Sequence, residues 1–345
     1  MPATANIYVL ATGGTFAMEP ALGGALAPMT LDRLARLLPA PESVAPGISI
    51  TLDGLEPLID SSAITPADWG RIAERIGAAY AAHDGFVVLH GTDTLAHTAS
   101  ALSFLFEHLA KPVVVTGAMV PLVLPGTDAA RNYRSALALA AYRATGLPCA
   151  SEVLVAFGDH VLRGCRARKN GGAAEGAFDS PHCPPLGAIG ESVTLFADRL
   201  RPAPPPGAAF AAQTTVDDGV VDFTLFPGVG ARHVTRALGH GDVSGVVLRA
   251  YGSGNAPDEP EFLAALNAAI SVNGKLALVV SQNALGSVSP GKYAASLPLF
   301  AFGALSGGDM TPEAALAKVA VTLGAHRGDE ARKRLLADLR GERTS

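Results

Sequence analysis

Short apolar runs recur along the first half of the chain and are separated by longer segments of helical character. Residues 7–11 (IYVLA) and 86–90 (FVVLH) are nearly continuous apolar stretches that are rich in β-forming side chains. Residues 112–116 (PVVVT) and 152–157 (EVLVAF) have the same character. Strands buried on both faces of a parallel sheet have this composition, because helices cover each face of such a sheet. The runs therefore predict a buried, mostly parallel sheet.

Helix signals lie between these runs. Thr65 is a good N-cap residue, Pro66 suits the first helical turn, and Asp68 stands three residues after the cap. Strands and helices that alternate at this spacing favour right-handed βαβ crossovers. The helices predicted from these signals, and from segments rich in alanine and leucine, span residues 66–82, 95–109 and 128–143.

A proline-rich stretch interrupts this alternation. Residues 201–207 (RPAPPPG) are unable to continue a helix or an internal strand. Beyond them the alternation resumes, with predicted strands at 245–250 and 275–280 and with helices that begin near Asp258 and Thr311. The sequence thus predicts an α/β protein in three parts: an N-terminal catalytic domain with a mostly parallel sheet (1–193), a Pro-rich linker (194–213) and a smaller C-terminal α/β domain (214–345).

The composition is that of a globular protein with a large core, since 49% of the 345 residues are hydrophobic and 17% are charged. A net charge of −5 gives no broad attraction for nucleic acid or for an anionic membrane, so neither is expected as a partner. The three cysteines lack metal-site spacing and predict neither a disulfide framework nor a metal site. The first residues lack the basic and apolar regions of a secretory signal, and we expect a cytoplasmic protein.

Two threonine-containing segments directly follow two of the predicted strands. They are residues 12–15 (TGGT) and 91–94 (GTDT). Because the carboxyl ends of parallel strands form the ligand crevice of an open α/β sheet, the two segments are expected to converge. Threonine is a weak nucleophile unless a neighbouring group takes its proton, as a lysine oriented by a carboxylate does. The pattern therefore indicates amide hydrolysis by a threonine.

Each of these features also has a structural interpretation that the sequence leaves open. The glycines before Thr15 also suit a tight turn, and Asp93 or Thr94 also suits the cap of a helix. A group of basic residues after the fourth strand equally describes a solvated charged surface. His90 and His97 lack a metal-ligand or triad pattern and are interpreted as structural. The basic residues are Arg163, Arg166, Arg168 and Lys169.

Several segments, taken in order, resemble the L-asparaginase family, and in particular its bacterial cytoplasmic type I branch. The similarity spans nearly the whole chain, and so many motifs in register are far more specific than one glycine-threonine loop. The motifs are ATGGT at 11–15, DSS at 60–62, TP with DW at 65–69, LHGTDT at 89–94, KPVVVTG at 111–117, RG at 163–164 followed by Lys169, YG with GNAP at 251–257, SQ at 281–282 and DMT with EA at 309–314.

The resemblance implies hydrolysis of L-asparagine to L-aspartate and ammonia through a threonine nucleophile and an acyl-enzyme, without a metal or organic cofactor. It assigns catalytic roles to Thr15 and to a second set that consists of Thr92, Asp93 and Lys169. It places Ser61 and Asp93 on the α-carboxylate and α-ammonium of the substrate. The further residues implied in substrate binding are Gly14, Asp60, Ser62, Gly91, Ala118 and Asn255.

Asn255 matches a residue that family members lend to the active site of the neighbouring subunit, so a homodimer or homotetramer is implied. The sequence departs from the family in the loop after Thr15, where Ala25 stands at the position of a usual tyrosine. Either Thr92 with Lys169 performs the attack, another residue supplies the activating group, or turnover is slow. Asn283 replaces a cysteine of type I members near an effector site, which argues against cooperative activation by asparagine.

Two functions besides asparagine hydrolysis with weak or no glutaminase activity stay open. One is an amino-acid sensor that binds asparagine and has lost turnover, which the missing tyrosine would allow. The other is an amidotransferase subunit that supplies ammonia for the modification of charged tRNA. The latter predicts an additional N-terminal module and a partner chain, whereas this sequence reaches its first predicted strand at once.

Overall fold

The computed structural model describes residues 4–21, 23–171 and 176–344. The chain forms two compact units, Met1–Thr214 and Thr215–Ser345. Within the described ranges, no helix has both the length and the apolar character that a membrane span requires.

Strands and helices alternate through the first unit. Its strands are β1 (Ala5–Ala11), β2 (Met18–Pro20), β3 (Leu26–Pro28), β4 (Ile48–Gly54), β5 (Gly85–Leu89), β6 (Phe106–Glu107), β7 (Val113–Thr116), β8 (Val153–Phe157), β9 (His160–Arg163), β10 (Arg168–Lys169), β11 (Phe178–Asp179), β12 (Gly187–Ile189), β13 (Val193–Leu195) and β14 (Ala211–Ala212). Its α-helices are α1 (Leu31–Leu37), α2 (Pro66–Ala79), α3 (Leu95–Leu105), α4 (Ala129–Ala140) and α5 (Tyr142–Thr145).

One large sheet forms the centre of the first unit. In the described residues its strands lie in the order β13-β12-β9-β8-β7-β5-β1-β4. The strands from β8 to β4 run parallel, and β9, β12 and β13 extend the other edge in antiparallel pairs. Every residue of β5, β7 and β8 is buried, as expected for strands covered on both faces. The predicted mostly parallel sheet of a larger N-terminal domain is confirmed.

The chain changes direction across this sheet at β1. It passes from β1 through α1 to β4 on one side, and then through α2 to β5 on the other side. In open α/β sheets the ligand crevice lies beyond the carboxyl ends of the strands at such a reversal. The loops that follow β1, β4 and β5 therefore lie at the edge of the sheet where a ligand site is expected.

Local signals in the sequence decide where α2 begins. The N–H and the hydroxyl of Thr65 both donate to Asp68 Oδ2, at 2.9 and 2.7 Å, so the side chain of Asp68 closes the first turn. Pro66 occupies the first helical position, where its missing N–H has no intrahelical partner to lose. By contrast α3 stops before the predicted end at Leu109, because β6 pairs there with β14.

The segment predicted as the linker lies within the first unit. Residues 194–213 contain the end of β13, a 3₁₀ turn at Ala197–Arg199, and β14. Phe210 stacks on Tyr80 of the region after α2 with 3.5 Å between ring centroids. Proline thus ends regular structure in this segment, as predicted from its φ restriction, while flanking side chains still attach it to the first unit.

The second unit is a smaller α/β unit with its own parallel sheet, and this prediction is confirmed. Its strands are β15 (Val220–Thr224), β16 (Gly245–Ala250), β17 (Leu276–Ser281) and β18 (Leu305–Ser306). Its helices are α6 (Ala231–Leu238), α7 (Pro260–Asn267, continued by a π-helical turn at Ala268–Val272), α8 (Leu297–Ala301), α9 (Pro312–Ala325) and α10 (Gly328–Leu336). The strands lie in the order β15-β16-β17-β18, and apolar clusters cover both faces of this sheet.

A buried ion pair holds the end of the described chain against α9. Lys318 Nζ lies 2.5 Å from Glu342 Oε1, and both side chains are fully buried. Lys318 also donates to the carbonyls of Leu335 and Ala337, and Glu342 accepts from the N–H groups of Leu339 and Arg340. Burial alone would raise the pKa of Glu342, but the Lys318 ammonium and these N–H groups lower it to about 2.

Candidate active site

The loops that follow β1, β4 and β5 touch at the carboxyl edge of the large sheet. A Cβ atom on Gly13 would lie 2.2 Å from the carbonyl oxygen of Ile59, and Gly13 has a φ of +125°. A Cβ atom on Gly91 would lie 2.4 Å from Ser61 Oγ. Glycine is therefore required at both positions, because any side chain would push neighbouring loops apart. The two glycine-threonine segments and the Ser61 loop converge, although they are distant in sequence.

Thr92, Asp93 and Lys169 form one hydrogen-bonded group. Lys169 Nζ donates to Thr92 Oγ1 at 3.0 Å and to Asp93 Oδ1 at 2.7 Å. Thr92 is buried, whereas 27% of the Lys169 side chain and 62% of the Asp93 side chain remain exposed. The amine is thus held against a buried hydroxyl on one side and an accessible carboxylate on the other. In its neutral form, the Lys169 amine is therefore close enough to Thr92 Oγ1 to accept the hydroxyl proton.

A short hairpin delivers Lys169 to this group. Lys169 pairs with Phe178 across β10 and β11, and the Phe178 ring packs on Phe157 of β8 at 4.9 Å between centroids. The N–H of Asn170 donates to the carbonyl of Ala177 at 2.9 Å. The lysine therefore stands on a paired backbone that is itself fixed to the large sheet.

Two of the basic residues that precede Lys169, Arg163 and Arg166, are not part of a solvated charged surface. Arg163 Nε lies 2.7 Å from Glu152 Oε2, with 13% and 6% of these side chains exposed. Arg166 is 4% exposed. Buried cations are kept only when they are paired or hydrogen bonded, so these arginines belong to the packing that fixes the strand before Lys169.

Ser61 links the loop after β4 to the GTDT loop after β5. Its Oγ accepts a hydrogen bond from the N–H of Asp93 at 3.3 Å, and its carbonyl accepts one from Thr94 Oγ1 at 2.7 Å. Ser61 is 3% exposed. Asp60 and Ser62 bond to each other instead: Asp60 Oδ1 accepts from both the N–H and the hydroxyl of Ser62, at 2.9 and 2.8 Å. These two hydrogen bonds lower the pKa of Asp60, and the bond from the Ser62 N–H is the larger cause.

The loop that contains Ala118 is fixed by the start of α4. Asp128 accepts hydrogen bonds from the N–H groups of Met119 and Val120, each at 3.0 Å. Asn132, one turn further along α4, donates to the carbonyl of Gly117 at 2.9 Å. Ala118 itself is fully buried.

A helix start was predicted near Asp128, whereas the role of Asp128 as an anchor for the Ala118 loop was not predicted. The available signal was the polar pair at i and i+4, Asp128 and Asn132, at the start of the helix. A matching contact from Asn132 Oδ1 reaches the next loop, where it accepts from the N–H of Gly158 at 3.2 Å.

Thr15 begins a 3₁₀ turn, Thr15–Ala17, and is half-buried. In the described part of the chain no side chain bonds to its hydroxyl. The following hairpin pairs β2 with β3, and the N–H of Ala21 donates to the carbonyl of Ala25 at 2.8 Å across its turn. Ala25 thus lies at the turn of the hairpin, and its methyl group has no hydroxyl to offer Thr15.

Asn255 lies in the second unit, where it pairs with Tyr251 across a tight turn. The N–H of Asn255 donates to the carbonyl of Tyr251 at 2.8 Å. Its Oδ1 is buried, and among the described residues it meets no hydrogen-bond donor. The turn therefore holds a polar side chain whose acceptor is left unused among the residues that the structure describes.

The chain matches two family descriptions in succession. Residues 6–201 match Asparaginase, N-terminal, and residues 220–336 match the Glutaminase/Asparaginase C-terminal domain. These matches, together with two α/β units and a threonine–lysine–aspartate group beside a glycine-threonine loop, define the class. The chain belongs to the asparaginase family, so the resemblance inferred from the motifs is confirmed.

Three individual relatives show which members of the family this chain is similar to. L-asparaginase 1 of Escherichia coli K12 is 38% identical over 341 residues, which are 98% of each chain. The crystal structure of L-asparaginase I from Vibrio cholerae is 38% identical, has a TM-score of 0.87, and is matched over 99% of this chain and 100% of that one. The mouse 60 kDa lysophospholipase is 36% identical over 98% of this chain, which spans 62% of that relative.

Proposed function

We propose that the protein hydrolyses L-asparagine to L-aspartate and ammonia by way of an acyl-enzyme on a threonine. Family membership and the similarity to L-asparaginases along the whole chain support the reaction. The observation that supports the chemistry is the 3.0 Å contact between Lys169 Nζ and Thr92 Oγ1. Thr15 has no comparable base among the described side chains, so we assign the attack to Thr92.

In the first half of the reaction, Lys169 in its neutral form accepts the hydroxyl proton of Thr92. The Thr92 oxygen then attacks the side-chain amide carbon, and the carbonyl π electrons move onto oxygen to give a tetrahedral intermediate. Collapse of this intermediate breaks the C–N bond, and the Lys169 ammonium returns the proton to the departing nitrogen as ammonia leaves. Asp93, 2.7 Å from Nζ, orients the amine and stabilises its charged form.

In the second half, water attacks the aspartyl ester while Lys169 accepts a proton from it. Thr92 then leaves with that proton, and L-aspartate is released. Developing negative charge on the carbonyl oxygen needs donors in both halves, and backbone N–H groups near Thr15 and Thr92 are suited to it. Among the described residues, no acceptor bonds the N–H of Gly14, Thr15 or Thr92.

Recognition of the substrate falls to the polar groups around Ser61. A zwitterionic amino acid needs donors for its carboxylate and an acceptor for its ammonium group, and an unpaired charge in a closed site is costly. The accessible carboxylate of Asp93 is such an acceptor, and Ser61, with Ser62 beside it, supplies hydroxyl donors. We place Asp60, Gly14, Gly91 and Ala118 around the same substrate.

A coupled assay for ammonia tests the proposed activity. We expect ammonia and L-aspartate in equal amounts from L-asparagine, and much slower release from L-glutamine. Calorimetric binding of L-asparagine without ammonia release would show that the protein is a sensor and not a hydrolase. Acid quenching during turnover, followed by mass spectrometry, is expected to find the aspartyl ester on the peptide that contains Thr92. An ester on the peptide that contains Thr15 would show that Thr15 is the nucleophile, and the proposed hydrolysis would still hold.

We further propose that the enzyme acts in the cytoplasm as a homo-oligomer in which Asn255 serves a neighbouring site. The buried acceptor of Asn255, which meets no donor among the described residues, is consistent with a partner supplied from outside this chain.

A further inference from the structure

His90 is the residue that joins β5 to the GTDT loop, and its side chain is fully buried. Both of its ring nitrogens have hydrogen-bond partners. Nδ1 lies 2.7 Å from the carbonyl oxygen of Gly91, and Nε2 lies 2.9 Å from Thr98 Oγ1 on α3. The ring therefore spans from a helix of the first unit to the peptide that immediately precedes Thr92.

The partners of the ring decide where its proton resides. A carbonyl oxygen only accepts, so Nδ1 carries the hydrogen and donates it to Gly91. In a neutral imidazole Nε2 is then an acceptor, and the hydroxyl of Thr98 donates to it. Burial, opposed in part by the bond to Gly91, lowers the pKa of His90 to about 4, so the ring is neutral at the pH of a cytoplasm.

Holding the Gly91 carbonyl also sets the direction of the Thr92 N–H. The peptide bond between the two residues is planar and trans, so its C=O and N–H point to opposite sides. His90 lies in the core and draws the carbonyl oxygen toward itself, which turns the Thr92 N–H away from the core. In the part of the chain that the structure describes, that N–H has no acceptor and is free to bind a ligand.

We propose that His90 is a positioning residue: its hydrogen bond to the Gly91 carbonyl fixes the peptide plane before Thr92 and aims the Thr92 N–H at the oxygen of the substrate amide. This role rests on the proposed hydrolysis, in which that oxygen gains negative charge. A donor that is aimed before reaction needs no reorganisation in the transition state, and this is the property that makes such donors effective. His90 itself touches no reacting atom.

Three substitutions separate the two ends of the ring. His90→Asn keeps an N–H donor at the place of Nδ1, His90→Gln places its amide nearer to Nε2, and His90→Leu removes both. We expect His90→Asn to keep most of the activity, while the other two lower kcat about 10- to 100-fold, because an oxyanion donor is misaimed and not lost. KM should change less than about threefold, since the donor matters mainly in the transition state.

Thr98→Val is the matched control, because it disturbs the same buried ring and leaves the Gly91 bond in place. We expect it to lower Tm and to keep kcat within about threefold of the parent. A merely structural His90 would give kcat values that follow Tm across all four variants. Equal kcat for His90→Asn and His90→Gln, or full kcat for His90→Leu, would overturn the proposal.

A second readout does not depend on turnover. In protein labelled with 15N-threonine, the Thr92 amide signal, assigned through its loss in Thr92→Val, reports on the peptide plane. We expect it to coincide in the parent and His90→Asn and to shift in His90→Gln and His90→Leu; an unmoved signal in all variants refutes the positioning role. A parent protein that releases no ammonia refutes the hydrolysis instead, and the amide signal still decides the role of His90.

Discussion

Gly14 and Gly91 lie back to back where the loops after β1 and β5 meet. A Cβ atom added to Gly14 would stand 2.1 Å from the Cα of Gly91 and 2.4 Å from its nitrogen. Two backbones approach this closely only when neither carries a side chain. The separation between the Thr15 loop and the Thr92 loop is therefore fixed by the absence of two side chains.

We predict that Gly14→Ala abolishes activity by separating these loops. Gly146 at the end of α5 serves as a control for positive φ in open space, because its φ is +75° and nothing lies within 4 Å of its Cβ position, although its ψ of 10° differs from the −178° of Gly14. Gly146→Ala measures the cost of an alanine at positive φ without a steric clash, about 1 to 2 kcal/mol. We expect Gly14→Ala to lose clearly more free energy of unfolding and nearly all ammonia release. Equal effects of the two substitutions would disprove the steric explanation.

Two substitutions of Lys169 test whether this residue acts as a base or only as a fixed positive charge. Lys169→Met should lower kcat by about 10²- to 10⁴-fold, the usual contribution of a general base. Lys169→Arg keeps a cation near Asp93 but is unable to release its proton at neutral pH, so we expect a similar loss. Circular dichroism checks that both variants remain folded. An arginine variant with most of the parent kcat would show that Lys169 acts only through its charge.

Subunit mixing tests the proposed role of Asn255. Thr92→Val and Asn255→Ala should each be inactive alone, because one lacks the nucleophile and the other lacks the lent side chain. In a mixed dimer one of the two sites is intact, so random exchange of equal amounts should restore about a quarter of the parent activity. Thr92→Val mixed with Lys169→Met is the control. Each subunit then carries a defect in its own site, so no mixed dimer has an intact site and no recovery of activity is expected. No recovery in the first mixture would place Asn255 outside the neighbouring site.

The buried pair of Lys318 and Glu342 predicts a specific response to acid. The pKa of Glu342 is about 2 when folded and 4.5 ordinarily, so the unfolded chain takes up its proton first as the pH falls. The stability contributed by this carboxylate is thus fully present above about pH 4.5 and is lost as the pH falls toward 2. Glu342→Gln should lower the free energy of unfolding at neutral pH by about 3 to 5 kcal/mol, because it leaves Lys318 buried and unpaired.

Guanidinium unfolding at a series of pH values measures both effects for the Lys318–Glu342 pair. The parent and Glu342→Gln curves should converge toward pH 2. The double variant Lys318→Met with Glu342→Gln removes both charges and should recover part of the loss. A constant difference at every pH would mean that the pair does not titrate as its surroundings indicate.

The sequence predicted the buried strands well and the edge of the sheet poorly. β5 and β7 appear as uninterrupted apolar runs because helices cover both of their faces. β4 (ISITLDG) lies at the edge of the parallel sheet and is buried only at Ile48 and Gly54, so it contains polar residues and gives no continuous apolar run. The linker was placed by its prolines, yet aromatic stacking at Phe210 keeps that segment in the first unit.

The site was predictable where residue type and position alone carry the chemistry. Two strand ends with threonine and glycine indicated a shared edge, because parallel strands end together. The anchoring by Asp128 and the orientation of the His90 ring were missed, since both depend on which backbone atom a side chain meets in three dimensions. No spacing in the sequence reports that Nδ1 of His90 faces the carbonyl of Gly91.

The hairpin that carries Lys169 makes ammonia release a reporter of assembly. The amine joins Thr92 from 77 positions further along the chain, after three more strands of the large sheet, β7, β8 and β9. A nascent or truncated polypeptide that stops short of β10 contains Thr92 and lacks the amine proposed to accept its proton. Hydrolysis should therefore begin only when the polypeptide has been made at least through this hairpin.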